Sequence, residues 1–453
     1  MTRDSQPATF FGHPRGLSTL FFTEMWERFS YYGMRAFLIL YMVHVLKFDD
    51  RHAGSVYGTY TASVWAAAIL GGIIADRWLG QYRSVLYGGI IIMLGHFTLA
   101  FHPLPAFYIG LALIVIGTGL LKPNVSGIVG SLYERDDARR DAGFSIFYMG
   151  INLGAALGPF IAGYLAQRVD WHLGFACAGV GMAFGVIQYV AGKKHLQPAV
   201  DRLARQRLEA HSPRESQPSS RQTRHPGENR GQPSFWGFTT TEWKRLGAMA
   251  VFFVFAAVFW GAYEQAGSTL NLFADRYTET SFMGFSFPSS WFLSIQAIFV
   301  ILLSPIFAWL WTALGHREPS TPAKFAFGLF FIGASFLFLL IPAFHLEAAP
   351  ALRVSPFWLI GCYFIQELGE LCISPVGLSV FTKLSPVKIV GSMLGVWFLA
   401  DSVGNKVAGF AAGFISSAPL PQLFGVIAAV CLAASLVAFL MIRPVKGLMG
   451  GVK

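Results

Sequence analysis

Twelve apolar runs, each about 20 residues long, recur along this 453-residue chain. About 20 apolar residues is the length a helix needs to cross the hydrocarbon core of a bilayer. The spans read as 18–46, 54–76, 84–101, 105–129, 141–166 and 172–192, then 244–266, 289–313, 322–343, 355–380, 389–415 and 420–442. Charged residues make up 13% of the chain and hydrophobic residues 54%, whereas a soluble domain carries about 25% charged residues. A soluble fold is excluded, and an all-α membrane protein is expected. Cys177, Cys362, Cys372 and Cys431 fall in apolar segments without metal-ligand spacing, so they read as small core residues and no metal site is expected. The polar, proline-containing N-terminus "MTRDSQPATFFGHPRG" lacks the apolar stretch of a removable signal peptide.

The spans fall into two sets of six. Residues 1–192 form an N-terminal bundle, 193–243 a basic linker and 244–453 a C-terminal bundle. The second half of the linker is rich in Pro, Ser, Gln and Arg and reads as partly disordered; "VDRLARQRLEAH" can form a short surface helix. Lys and Arg concentrate at the two termini, the linker and the loops 76–83, 134–141, 316–324 and 383–388. By the positive-inside bias these lie in the cytoplasm. The formal net charge of +10 follows from that bias. Because the basic residues are scattered over many loops, membrane lipids are the expected partner and nucleic acid is not.

Charges inside the apolar runs carry the functional signal. In "TEMWERFSYYGMRAFLILYMV", Glu24, Glu27, Arg28, Tyr31 and Arg35 follow helical spacing and form one polar stripe, with Phe21, Phe22, Phe37 and Leu38 read as facing lipid. A charge at the bilayer centre costs about 2.5–3.5 kcal/mol on insertion scales, so such residues face a cavity or a partner. Further intramembrane charges are Lys122, Glu264, Glu367, Glu370, Asp401 and Lys406. Groups spread over both halves suit a hydrated central cavity; a purely structural ion network that orients the first helix is the other reading. Glu367 is three residues before Glu370, so the two carboxylates can share a proton, or Glu367 can be satisfied by a neighbouring hydroxyl. Asp401 and Lys406, five apart, are not expected to pair.

Two resemblances sharpen this. "GGIIADRWLGQYR" matches the G-x-x-x-D-R-x-x-G loop of the major facilitator superfamily, which implies two six-helix bundles and a gating role for Asp76 and Arg77. "ExxERFSYYGMR", "GLLKPN", "FSIFYMGINLGA", "FWGAYEQ", "GELCISPVGLS" and "GVWFLA" closely resemble the proton-coupled oligopeptide transporter family across nearly the whole membrane region. The resemblance implies a symporter, not an enzyme, that imports di- and tripeptides with protons by alternating access, acting as a monomer and needing no cofactor beyond the proton. It implies proton coupling by Glu24, Glu27, Arg28, Lys122, Glu264 and Glu370. It implies substrate contacts from Tyr31, Tyr32, Arg35, Lys122, Asn152, Trp260, Gln296, Glu370, Ser374 and Trp397. Arg35 with Glu264 and Lys122 with Glu370 are the expected gate pairs.

Physically, Arg and Lys suit a peptide carboxylate, Glu an ammonium, and Asn a backbone amide. The chain departs from the family's usual pattern at Trp65, Ala68, Gln296, Ala297, Glu367 and Asp401, and its linker cannot supply two extra helices. A transporter of another small solute such as nitrate, or a non-transporting receptor, are the alternatives. A membrane-embedded enzyme lacks a recognisable nucleophile, phosphate-loop or metal pattern.

Overall fold

A computed structural model of the protein describes residues 9–134, 137, 139–211, 238–349, 351–386 and 389–451. The first half contains α1 (Gly16–His44), α2 (Asp50–Ile74), α3 (Gln81–Leu99), α4 (Leu104–Ser131), α5 (Arg140–Gly158), α6 (Tyr164–Arg168) and α7 (Trp171–Ala191). Helix α8 (Lys193–His211) follows. The second half contains α9 (Thr240–Tyr263), α10 (Thr269–Tyr277), α11 (Phe292–Leu314), α12 (Thr321–Ala348), α13 (Phe357–Leu384), α14 (Val390–Ala412), α15 (Leu420–Leu440) and α16 (Ile442–Met449). A π-helical turn at Pro159–Gly163 joins α5 to α6, and a short 3₁₀ turn at Glu264–Gly267 joins α9 to α10, so each pair makes one crossing. Two short hairpins, Thr9–Phe10 with His13–Pro14 and Ser281–Phe282 with Phe285–Ser286, are the strands among the described residues.

Local chemistry sets several helix starts. Asp49 caps α2 by accepting from the His52 amide, and Asp170 caps α7 by accepting from the His172 and Leu173 amides. Thr239 and Glu242 form a reciprocal capping box at α9. Gly80, at φ 74°, ends the π-helical turn Ala75–Leu79 and starts α3, a left-handed position that glycine tolerates.

Among the described residues, nine helical stretches are long and apolar enough to cross a membrane. Helices α1, α3 and α14 complete the twelve; Glu24, Glu27, Arg28 and Arg35 are what set α1 apart in composition. Within the first half, α1 packs on α5 and α7, and α4 on α2 and α3; within the second, α12 packs on α13 and α15, and α14 on α9. Two seams join the halves, α2 with α14 and α5 with α11. The α2–α14 seam is close: a Cβ on Gly54 would lie 2.3 Å from the Gly409 carbonyl oxygen. Such backbone approach through small residues is the usual basis of helix association in lipid.

Three sequence expectations change. Phe21, Phe37 and Leu38 are buried in protein, and of the four residues read as lipid-facing only Phe22 is exposed. Helix α1 is surrounded by α2, α4, α5, α7 and α10, and apolar side chains look alike in sequence whether they meet lipid or protein. The seventh crossing, expected to end at residue 266, continues through α10 to Tyr277, whose polar composition hides it from a hydropathy reading. The linker helix α8 extends from Lys193 to His211 and anchors on the bundle by burying Leu196 and Ala199; the rest of the expected linker, from 212 to 237, lies outside the described residues.

A Cβ on Gly71 of α2 would stand 1.8 Å from the Gly119 carbonyl of α4. Gly71→Val should therefore destabilise the bundle by about 1–3 kcal/mol or more. Gly247→Ala, whose Cβ meets nothing within 4 Å, should leave it nearly unchanged. Thermal unfolding of the detergent-solubilised protein measures both.

Candidate functional site

The stripe on α1 is buried. Glu24 and Glu27 are 0% exposed, Arg28 is 1% and Arg35 is 5%. The guanidinium of Arg28 grips Glu27 through two nitrogens, with Nη2 2.5 Å from Oε1. The Arg28 Nε also lies 3.6 Å from Glu24 Oε1, and Lys122 Nζ donates to that oxygen from α4 at 2.7 Å. Two acids and two bases thus neutralise one another in a dry setting, as buried charge requires. The Arg28 guanidinium also lies 4.9 Å from the ring centre of Tyr31 and 5.7 Å from that of Tyr32.

One turn beyond Tyr31, Arg35 leaves the first half altogether. It donates through Nη2 to Glu264 and through Nε to the Tyr57 hydroxyl at 2.6 Å. Glu264 sits in the 3₁₀ turn where the seventh crossing breaks, rather than at that crossing's end. A broken helix frees a polar backbone and lets a side chain point across the bundle axis. Other contacts between the halves gather at the same end of the molecule, away from the termini. His44 meets Asp275 at 2.7 Å, Arg276 meets Asp50 at 2.6 Å, and Gln167 donates to Ser289 at 2.9 Å. Asn271 donates to the Ala36 carbonyl and Ser294 to the Ala156 carbonyl, both at 2.7 Å.

The second half supplies the opposite wall. Tyr263 donates to Glu367 Oε1 at 2.8 Å and Glu367 Oε2 is buried without a donor, while the Ser374 hydroxyl lies beside Glu370. Asn405 Nδ2 donates to Asp401 Oδ1 at 2.7 Å, and Lys406 turns away to Thr59, 2.6 Å from its hydroxyl. Gln296 donates to Gln366 at 3.2 Å. Tyrosines connect the walls. Tyr32 lies within electrostatic reach of Arg28, Arg35, Asp401 and Glu27. Tyr148, on α5, lies within reach of Glu370, Glu367 and Tyr32, and Tyr263 of the same three groups. Ionisable groups of both halves therefore gather around these tyrosines, and the halves are joined by an ion pair where Arg35 meets Glu264.

Some expected residues are placed differently. Lys122 is held by Glu24, and Glu370 makes no ion pair among the described residues, so the expected Lys122–Glu370 pair is not formed here. The partner on α1 is nearer because α1 and α4 pack together in one half. Asp76 and Arg77 are exposed and do not pair with each other; Asp76 accepts from Gln81 at 2.9 Å, and Arg77 lines a surface cavity of about 620 Å³ with Arg83 and Lys193. Trp397 packs against Phe325 and Phe381 within the second bundle, so its ring reinforces the wall, whereas Trp260 is half-buried beside Tyr263. Asn152 donates to the Tyr148 carbonyl at 3.0 Å, and Ser374 lies one turn beyond Glu370. Tyr57, Tyr148 and Tyr263 were not singled out by the sequence; with 15% aromatic residues, nothing in composition separates them from packing rings.

Two bundles of six crossings with buried charges from both halves define a secondary transporter of the major facilitator type. A family model described as the POT family matches residues 82–202 and 235–427, and the chain belongs to that family. It is 41% identical to the uncharacterised transporter YclF of Bacillus subtilis, covering 98% of this chain and 96% of that protein. It is 36% identical to the di-/tripeptide transporter of Lactococcus lactis subsp. cremoris, covering 98% of each. Among solved structures, a peptide transporter POT in complex with sulfate superposes with a TM-score of 0.85 at 37% identity, over 98% of both chains. A POT family transporter in complex with a thioalcohol-conjugated peptide gives 0.82 at 28% identity, over 96% of this chain and 98% of that one.

Glu264→Gln removes the charge opposite Arg35 and should weaken the closed end, since breaking a buried pair costs about 3–5 kcal/mol. Spin labels placed at Lys47 and Phe282, on the two halves at that end, should report a new longer-distance population in the variant by double electron–electron resonance. An unchanged distance distribution counts against the latch.

Proposed function

We propose that this protein is a proton-coupled symporter of the inner membrane that imports di- and tripeptides by alternating access. Both termini are cytoplasmic, the closed end faces the outside, and the protein works as a monomer among membrane lipids without a further cofactor. The observation that carries this reading is the convergence of charges from both halves: Arg35 pairs with Glu264 across the bundles, Lys122 with Glu24, and Tyr148 lies within electrostatic reach of Glu367 and Glu370. A short peptide is a carboxylate and an ammonium joined by a polar backbone. Such a space can hold the ends by charge and leave varied side chains in the remaining room.

In this reading Arg35 and Lys122 receive the carboxylate and Glu370 receives the ammonium. Asn152, Gln296, Ser374, Tyr31, Tyr32, Trp260 and Trp397 bound or support the space between. Arg35 is held by Glu264 in the closed outer end and Lys122 by Glu24, so each cation must exchange a carboxylate partner when a peptide carboxylate arrives. Protonation of Glu24, Glu27 or Glu264 makes that exchange favourable by removing the competing negative charge. The inward flow of protons then biases one direction of the cycle. Asp76 and Arg77 act at the cytoplasmic loop between α2 and α3.

Purified protein in liposomes should accumulate radiolabelled dialanine when an inward proton gradient is imposed and only equilibrate it otherwise. Glu27→Gln should retain exchange of dialanine but lose accumulation, by about tenfold or more. Wild-type liposomes that take up no peptide overturn the function. Accumulation by the variant at the wild-type level removes Glu27 from coupling.

A further inference from the structure

At the end away from the termini, a cavity of about 290 Å³ lies on the α2–α14 seam. Its lining comes from both bundles: Arg51 and Ser55 from α2, and Lys406, Phe410, Gly413 and Phe414 from α14 and the turn after it. Two of those residues are cations and none is an acid. Neither Arg51 nor Lys406 forms an ion pair with a described residue. Asp50, the acid next to Arg51, is taken by Arg276 and Ser416.

Lys406 is the unusual member. It stands six residues before the end of α14 at Ala412, and it is exposed. At 1.5 Å per residue that is about 9 Å into the crossing. A lysine on the lipid side of a crossing is costly and needs a partner or the headgroup layer. Its ammonium is held level with Thr59, donating to that hydroxyl at 2.6 Å, while Thr59 donates to the Ser55 carbonyl at 2.6 Å. This bond uses one of the ammonium's three N–H groups and cancels none of its charge. Arg51 leans on the other half: its guanidinium lies 5.7 Å from the ring centre of Phe414, and a Cβ on Gly413 would stand 3.0 Å from its Cα.

Toward the bilayer centre, α14 presents Leu399, Val403, Val407 and Phe410 as exposed apolar residues at helical spacing. Two unmatched cations above an apolar track fit a phospholipid, with its phosphate between the cations and an acyl chain along the helix. A zwitterionic headgroup also brings an ammonium, for which the lining offers no acid. A net-anionic headgroup brings none.

We infer that this cavity holds the headgroup of an anionic phospholipid of the phosphatidylglycerol type, and that the bound lipid favours the arrangement in which α2 and α14 meet at this end. The phosphate links a cation of one half to a cation of the other, so the site is complete only while the bundles are packed there. A ligand that binds one arrangement better than another shifts the equilibrium toward it. The inference goes beyond transport of peptides and holds for whatever solute the protein carries.

The test uses the purified full chain. By native mass spectrometry from micelles containing phosphatidylethanolamine and phosphatidylglycerol, the wild type should retain more phosphatidylglycerol than Arg51→Gln/Lys406→Gln, whose affinity for it should fall about tenfold or more. In nanodiscs, spin labels at Lys47 and Phe282 should report a ratio of short to long distances that rises about threefold when phosphatidylglycerol is added to phosphatidylethanolamine. The rise should vanish in Arg51→Gln/Lys406→Gln. It should persist in Arg83→Gln/Lys193→Gln, which removes as much charge from the other basic cavity. Equal lipid retention by the wild type and Arg51→Gln/Lys406→Gln overturns the site. A wild-type distance ratio that ignores phosphatidylglycerol overturns its effect on closure. Equal loss of the response in both double variants marks a bulk charge effect and overturns the assignment. Inorganic phosphate that reproduces the response in phosphatidylethanolamine nanodiscs makes the ligand a free anion and overturns the lipid.

Discussion

A charge taken out of water must find an opposite charge, and helix α1 carries four. Each ion loses hydration worth several kcal/mol, and only close, multiply bonded partners return it. Arg28 has two such partners one and four residues away on its own helix, and Lys122 on α4 completes the set. That requirement dictates the architecture around it. Helix α4 must stay close enough to α1 for Lys122 to reach Glu24, and the crossings through Gly71 and Gly119 keep α4 tight against α2 as well. Replacing the whole set with apolar residues would satisfy packing at less electrostatic cost. A chain that keeps it is using the charges for something other than stability.

Arg35 gives the set its reach across the molecule. It lies on the same face of α1 as Glu24 and Arg28, yet its partner Glu264 comes from the other half, through a break in the seventh crossing. An ion pair within one bundle is indifferent to how the bundles tilt; a pair between bundles exists in one tilt and not in another. Arg35 therefore reads the state of the end away from the termini, while Arg28 and Lys122 hold their partners within the first half. Both kinds of pair meet at Tyr32, whose ring centre is 5.7 Å from the Arg28 guanidinium and 5.9 Å from that of Arg35.

The crossings and the intramembrane charges were legible in the sequence because both signals are local: an apolar run is a property of one segment, and a Glu inside it stands out without knowledge of neighbours. Partner choice is not local. Lys122 is expected opposite Glu370 and instead meets Glu24, because the outcome depends on which helices cross at that depth. The burial of Phe37 and Leu38 was hidden for a related reason, since lipid and protein are equally apolar surroundings. The α10 segment "TLNLFADRY" was missed because its polar residues serve the interface between halves, where Asp275 and Arg276 find His44 and Asp50. The tyrosines that join the two walls carry no spacing pattern, and only the packed structure separates them from the many rings that fill the core.

The asymmetry between the two halves follows from these placements. The first half brings Arg28 and Lys122 already matched by its own acids; the second half brings carboxylates oriented by neutral donors, Tyr263 and Asn405. A neutral donor fixes the direction of a carboxylate without cancelling its charge. In the proposed cycle the proton and the peptide do not share an oxygen: the proton neutralises a carboxylate that holds a cation, and the freed cation receives the peptide carboxylate, so each ligand favours the other. Such coupling needs no long relay, because Glu24 and Glu264 each touch the cation that they would release.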